Sequence, residues 1–192
     1  MRLFIAIELP PTAKEALVGV QQRLRTDTRK SSLEIGWVTP DHMHLTLRFF
    51  AEVAPVQVDS LRESLAEVAA TCTPFVMRLE GVGVFPEEGP PRVVWAGVGT
   101  GRTQTETLVQ RLTESLAGRG WAAEPRPFHP HVTLGRIKRA GPRQAFISAL
   151  QGCAVPEELD VTVDHLALIE SQLSSHGPRY TTLYSTTPRT HT

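Results

Sequence analysis

This 192-residue sequence has only two cysteines, no net charge and no long apolar run. The two cysteines, Cys72 and Cys153, belong to no CxxC pair, so we expect reduced thiols rather than a disulfide scaffold or a cysteine-based zinc site. Twenty basic residues balance twenty acidic ones, which disfavours a protein that coats long nucleic acid or an anionic membrane. The apolar run Leu3–Ile7 is too short for a signal-peptide core or a membrane span. We therefore expect a cytoplasmic protein with no membrane partner.

Two nucleotide-binding motifs are also missing. No GxGxxG sequence joins a predicted strand to a helix, and no Walker A sequence is present, which argues against a dinucleotide fold or a P-loop enzyme. The composition, with 41% hydrophobic and 21% charged residues, is ordinary for a globular domain.

Hydrophobic periodicity predicts a mixture of strands and helices. Strands are predicted over residues 2–8, 35–38, 44–50, 75–84, 92–98, 131–137, 161–170 and 180–186. Helices are predicted over 12–29, 56–70, 103–119 and 143–150, the first with Thr12 as N-cap and Glu15 completing a capping box. Because strand and helix do not alternate strictly, the pattern indicates an α+β fold with largely antiparallel sheets.

One four-residue motif occurs twice, at residues 44–47 and 131–134. The two copies, HLTL and HVTL, both read His-apolar-Thr-Leu, and both begin a predicted strand. Each copy also follows another histidine two positions earlier, His42 in the first and His129 in the second. A single HxT is nearly uninformative, but a matched pair in equivalent places of two halves is far more specific.

Strand geometry gives the repeated motif a chemical meaning. Residues two apart in a strand share a face, so His44 projects with Thr46 and His131 projects with Thr133. If the halves are related by an approximate twofold axis, the two pairs face each other across one cleft. Two imidazoles suit paired acid and base catalysis near neutral pH, and two hydroxyls can donate hydrogen bonds to phosphate oxygens. This reasoning does not say which histidine is the acid.

Several further segments carry a resemblance to a known family. They are the opening MRLFIAI, Trp37, PRVVW at 91–95, FHPHVTLGR at 128–136, and Glu170, Ser171 and Leu173 leading to Gly177 and Tyr180. With the two motifs, they make nearly the whole chain resemble the bacterial and archaeal RNA 2′,3′-cyclic phosphodiesterases. These proteins, also called 2′-5′ RNA ligases, belong to the two-histidine phosphoesterase superfamily.

The resemblance implies both a fold and an activity. The fold would be one bilobal domain over residues 1–188, with two pseudo-symmetric lobes around a central cleft, each an antiparallel sheet with helices on its outer face. Residues 189–192 would be a frayed tail. The activity would be metal- and cofactor-independent opening of a terminal 2′,3′-cyclic phosphate to a 2′-phosphomonoester, with His44 as proton donor and His131 as proton acceptor. Thr46 and Thr133 would hold the phosphate.

The resemblance also implies RNA ends as partners, with tRNA fragments and small cyclic nucleotides as further candidates. Some members of the family join RNA through a 2′-5′ linkage without ATP, which can be the same chemistry in reverse. We expect a monomer.

Three more side chains are candidates for substrate binding. Arg136 matches a family arginine that contacts the phosphate, but strict alternation places it opposite His131 unless a strand end or bulge lies at Gly135. Arg48 shares the alternation of His44 and could line the cleft. Phe128 could stack on a terminal base, although core packing is the alternative. The basic stretch from Arg126 to Arg143, which contains no acidic residue, is either an RNA-backbone track or a solvated surface.

Two other functional classes stay open. The two HxH pairs could bind a catalytic metal, although such sites usually add carboxylates or a third histidine. A non-catalytic module that binds RNA ends could retain the fold, but we would expect it to have lost a motif histidine or threonine, and all four are present.

Overall fold

Helices and strands alternate irregularly along the chain. The computed structural model describes residues 1–28, 34–139, 147–148, 150, 153–156, 159–175 and 177–186. The helices are α1 (Pro11–Thr28), α2 (Val58–Thr71) and α3 (Arg102–Ala117), with short 3-10 turns at Pro40–His42 and Pro55–Gln57. The strands are β1 (Leu3–Glu8), β2 (Glu34–Trp37), β3 (His44–Phe50), β4 (Phe75–Phe85), β5 (Val93–Val98), β6 (His131–Arg139), β7 (Asp160–Val163), β8 (Ala167–Ser174) and β9 (Gly177–Ser185). None of the helices in these ranges is long and apolar enough to cross a bilayer.

The strands form one sheet in the order β7-β4-β5-β6-β3-β1-β8-β9, and β2 pairs with the later part of β6. Every pairing is antiparallel. The α+β prediction is confirmed, because a fold built from alternating βαβ units would pair its strands in parallel, and none of the pairings among the described strands is parallel.

The two halves of this sheet meet at a single residue pair, Leu45 of β3 and Val132 of β6. Strands β3, β1, β8 and β9 lie on one side of the pair, and β6, β5, β4 and β7 lie on the other. Each motif therefore begins the innermost strand of its own half. This arrangement agrees with the predicted pair of antiparallel lobes.

The helices pack on one face of the sheet, which we call the helix face. Apolar residues of α1, α2 and α3, such as Leu17, Leu65 and Leu112, form one cluster with Leu3, Ile5, Ile7, Leu45, Leu47, Val94, Ala96, Val132 and Leu134 of the strands. A much smaller cluster, Phe4, Ala6, Ala167 and Ile169, lies on the opposite face, which we call the second face. Because side chains alternate along each strand, residues next to the core positions are directed to the second face.

Two predictions about individual elements are wrong. Helix α1 begins at Pro11, and the amide of Lys14 donates to the carbonyl of Pro10 at 3.1 Å, so Thr12 is inside the first turn rather than at the N-cap. Proline suits the first helical position because its missing N–H would have no partner there. The single strand predicted over 161–170 is instead β7 and β8, which pair with β4 and β1 in different halves of the sheet.

Three further predictions concern the cysteines, a short helix and the C-terminal tail. Both cysteines are free, as expected. Most of the short helix predicted over 143–150 and all of the tail 189–192 fall outside the described residues.

Candidate active site

The pair Leu45–Val132 brings the two motifs together. Both side chains are fully buried in the helix-face core, so the residues before and after each of them are directed to the second face. When this antiparallel register is continued by one residue on either side, His44 lies opposite Thr133 and Thr46 lies opposite His131. Each motif histidine is therefore beside the threonine of the other motif. The four side chains so assembled are His44, Thr46, His131 and Thr133.

A β-bulge in β6 directs Arg136 to the same face as His131. Strand β5 pairs its consecutive residues Val94 and Trp95 with Gly135 and Thr133, so Leu134 is an extra residue in β6. The extra residue reverses the alternation from Gly135 onward. Burial, chiefly, and to a smaller extent the charge of Arg136 lower the pKa of His131. The bulge required by the sequence argument is therefore present.

An equivalent bulge in β3 directs Arg48 away from the face that carries the two motif histidines. Strand β1 pairs Ile5 with Arg48 and Ala6 with Thr46, so Leu47 is the extra residue. After it, Arg48 shares the helix face with Ile5. Its guanidinium lies 5.7 Å from the ring centre of Phe50, donates to the carbonyl of Ala122 and pairs with Glu124 at 3.5 Å. The prediction that Arg48 lines the cleft is wrong, because the bulge at Leu47 interrupts the alternation of side chains one residue before Arg48.

The imidazole of His131 is fixed by its own backbone and by two aromatic rings. Its Nδ1 lies 2.7 Å from the carbonyl oxygen of His129, so this nitrogen donates and Nε2 is left for a substrate. The ring of Phe85 meets it edge-on at 5.0 Å, and Trp95 lies at 6.5 Å. Burial lowers the pKa of His131, and the hydrogen bond to the His129 carbonyl opposes this effect.

The imidazole of His44 has a similar but more enclosed environment. Phe4 stacks on it at 4.6 Å with an interplanar angle of 22°, and Tyr180 contacts it edge-on at 5.5 Å. The carbonyl of His42 accepts a hydrogen bond from the ring. Burial lowers the pKa of His44 from 6.5 to about 4, and the charge of His131 contributes to the decrease. The two motif imidazoles are therefore close enough to interact electrostatically.

The first histidine of each HxH pair acts through its backbone. His42 and His129 each supply a carbonyl that accepts from the imidazole two residues later. Within the described ranges, no three His, Cys, Asp or Glu side chains are grouped in a way that could hold a metal ion. The HxH spacing thus has a use in orienting the second imidazole.

Sequence reasoning did not assign the aromatic rings around the histidines to the site. Phe4, Phe85, Trp95 and Tyr180 come from four strands other than those of the motifs. One signal was available, because a glycine inside a strand often marks a close approach. A Cβ at Gly83 would lie only 2.2 Å from the nearest atom of the Trp95 ring, so the ring occupies the space that a side chain at this position would need.

Among the described residues, Phe128 makes no ring contact with either motif histidine. It is half-buried against the helix-face core, which favours the core-packing alternative over stacking on a base. In the basic stretch, Arg126 is highly exposed and pairs with Glu124 at 3.5 Å. Arg143 falls outside the described residues.

The chain is similar to proteins of one family. A family model described as the 2′-5′ RNA ligase superfamily matches residues 10–174. The RNA 2′,3′-cyclic phosphodiesterase of Aeropyrum pernix is 35% identical over 168 residues, which cover 88% of this chain and 94% of that protein. The protein of the same name from Thermus thermophilus is 34% identical, with 95% of this chain and 88% of that protein covered.

Solved structures give the same result. A crystal structure of a Thermus thermophilus protein matches with a TM-score of 0.79 and 31% identity, covering 97% of both chains. Apo LigT of Escherichia coli matches with a TM-score of 0.73 and 26% identity, covering 96% of this chain and 95% of LigT. LigT has also been crystallised with 3′-AMP.

Proposed function

This chain belongs to the 2′-5′ RNA ligase superfamily, and from that membership and its paired motifs we propose that it is an RNA 2′,3′-cyclic phosphodiesterase. The observation that carries the proposal is the meeting of the two His-x-Thr pairs on the second face, on either side of Leu45 and Val132. The curated relatives that carry this name cover most of the chain.

The reaction needs one proton removed and one delivered. Water adds to the phosphorus while the P–O3′ bond breaks, and the products are a 2′-phosphomonoester and a free 3′-hydroxyl. His131 takes the proton from water and His44 gives a proton to the leaving 3′ oxygen, a division of roles that follows from the family resemblance. Nε2 of His131 is suited to the first role, since its Nδ1 is held by a carbonyl.

The lowered pKa of His131 suits its role as a base directly. The lowered pKa of His44 suits a role as an acid only once the substrate is bound. A neutral His131 is ready to act as a base near pH 7. His44, with a pKa of about 4, is neutral as well and must gain a proton before it can donate one. The anionic cyclic phosphate favours the charged imidazole, so its binding raises the pKa of His44.

The phosphate itself would be held by three groups. Thr46 and Thr133 donate hydroxyl hydrogen bonds to the non-bridging oxygens, and Arg136 supplies positive charge. Donors placed where negative charge develops stabilise the transition state more than the ground state. These contacts supply what a Lewis acid would otherwise provide, so the proposed reaction needs neither a metal nor an organic cofactor.

The proposed substrates are RNA 3′ ends that carry a 2′,3′-cyclic phosphate, with tRNA fragments and small cyclic nucleotides within the same chemistry. Attack by a 5′-hydroxyl on the cyclic phosphate, or its reversal, would extend the activity to ATP-independent 2′-5′ ligation. We propose a cytoplasmic monomer.

The test is to incubate the protein in EDTA with an RNA that ends in a 2′,3′-cyclic phosphate and then to identify the terminal phosphate. We expect a 2′-phosphate, and rates lower by about 10²- to 10⁴-fold for His44→Ala and for His131→Ala. His165→Ala is the matched control, because that half-buried histidine bonds Asp164 and lies 3.8 Å from Glu8. Far-UV circular dichroism would show that each variant is folded.

Other outcomes would contradict the proposal. Activity lost in EDTA and restored by zinc or manganese would favour the metal site. RNA ends bound without turnover would favour the non-catalytic module. If His42→Ala or His129→Ala abolished activity while the motif variants did not, the site would be assigned to the wrong histidines.

A further inference from the structure

A second arginine, Arg2, lies on the same face as the motif histidines. The amide of Ser171 donates to the carbonyl of Arg2 at 2.8 Å, and Ser171 pairs with Tyr180, so Arg2, which directly precedes β1, forms a row with these residues of β8 and β9. Arg2 stands two positions before Phe4, which stacks on His44. Residues two apart share a face, so Arg2 belongs to the second face.

The side chain of Arg2 rests on Phe49, which occupies the position in the first half of the sheet that Arg136 occupies in the second. Its guanidinium lies 5.3 Å from the ring centre of Phe49, whose side chain is 41% exposed and which pairs with Phe4. Phe49 comes five residues after His44, just as Arg136 comes five residues after His131, and a bulge precedes each. The first half of the site thus has a cation resting on an aromatic ring where the second half has an arginine of its own.

The charges of these two arginines are not neutralised locally. In the part of the chain that the structure describes, neither Arg2 nor Arg136 forms an ion pair with a carboxylate. Both charges act on the Tyr180 hydroxyl, where they oppose the rise in pKa that burial causes. Tyr180 also contacts His42 at 4.5 Å and His44 at 5.5 Å. Two unpaired cations therefore reach the neighbourhood of the first histidine.

We propose that Arg2 binds the phosphodiester immediately 5′ of the terminal cyclic phosphate and thereby favours RNA chains over nucleoside cyclic phosphates. This inference rests on the proposed function. The threonines and Arg136 account for the cyclic phosphate, and an RNA end differs from a nucleoside 2′,3′-cyclic phosphate by the next phosphate along the chain. A guanidinium fork matches phosphate oxygens, and stacking on Phe49 holds its plane while leaving its N–H groups free.

The test compares two substrates, a nucleoside 2′,3′-cyclic phosphate and a dinucleotide that ends in the same nucleoside cyclic phosphate. For Arg2→Gln we expect the ratio of kcat/KM, dinucleotide over nucleoside, to fall about 10- to 100-fold, mainly through KM, the effect of losing one charge-assisted hydrogen bond. Arg2→Lys should fall less, because it keeps the charge and loses the fork. Arg179→Gln is the matched control, an exposed arginine next to Tyr180 whose ratio should equal that of the wild type.

A binding measurement separates this inference from the proposed function. Arg2→Gln should weaken binding of a dinucleotide 3′-phosphate more than binding of a nucleoside 3′-phosphate, whether or not the protein catalyses any reaction. An equal loss for both ligands, or no loss for either, would overturn the role of Arg2. A wild-type protein that opens neither cyclic substrate would instead overturn the proposed function.

Discussion

Replacing His44 by glutamine should change how the stability of the protein depends on pH. Burial beneath Phe4 and Tyr180 lowers the pKa of His44 from 6.5 to about 4. The unfolded chain therefore binds a proton at this residue below about pH 6.5, whereas the folded protein binds it only below about pH 4. The stability that depends on a neutral His44 is present above pH 6.5 and is lost as the pH falls towards 4.

The size of this effect follows from the difference between the two pKa values. A difference between 6.5 and about 4 corresponds to about 3 kcal/mol, at about 1.4 kcal/mol per pKa unit. Between about pH 7 and pH 4, the wild type should therefore lose about 3 kcal/mol more unfolding free energy than His44→Gln. His131 and the carboxylates titrate in both proteins, so their contributions largely cancel in the comparison.

Urea unfolding followed by circular dichroism at a series of pH values would measure this difference. His129→Gln is the control, because the exposed His129 occupies the first position of the other HxH pair, and it should follow the wild type. If His44→Gln and the wild type lose stability in parallel over the whole range, the reasoning from burial is refuted. An NMR titration that places the pKa of His44 near 6.5 would refute it as well.

Three further predictions concern the site and its surroundings. Thr133→Ala should slow cyclic-phosphate opening about 10- to 10³-fold, as expected for one lost oxyanion donor, in a rate assay at saturating substrate. Gly83→Ala should destabilise the protein by about 1–3 kcal/mol in thermal unfolding, because the new Cβ would overlap the Trp95 ring. Arg136→Gln should raise KM or lower kcat by at least tenfold, whereas Arg48→Gln should stay within about threefold of the wild type. Equal effects of the two arginine variants would contradict the assignment of their faces.

Local patterns predicted most of the secondary structure. Period-two alternation located β3, β4, β5 and β6, and the spacing of leucines located α2 and α3. The misplaced N-cap of α1 was a local error, but the error over 161–170 arose because neighbouring strands decided the outcome. The segment 161–170 looks like one apolar strand, but β4 pairs with its beginning and β1 with its end, and the chain turns between them.

For the site, the repeated His-x-Thr motif and strand alternation were sufficient to predict which four polar side chains share a face. Alternation is a property of the local backbone, so it can be read from one strand alone. It correctly sent Leu45 and Val132 into the core.

Only the tertiary structure decided what lies beyond the fourth residue of each motif. The bulges at Leu47 and Leu134 are set by register against β1 and β5, which no local pattern encodes. Each bulge reverses the alternation that follows it, so Arg136 joins the histidines and Arg48 turns to the helix face. The rings that lower the pKa of His44 and His131 likewise come from strands distant in sequence, because burial is a property of the packed sheet and not of the strand that bears the imidazole.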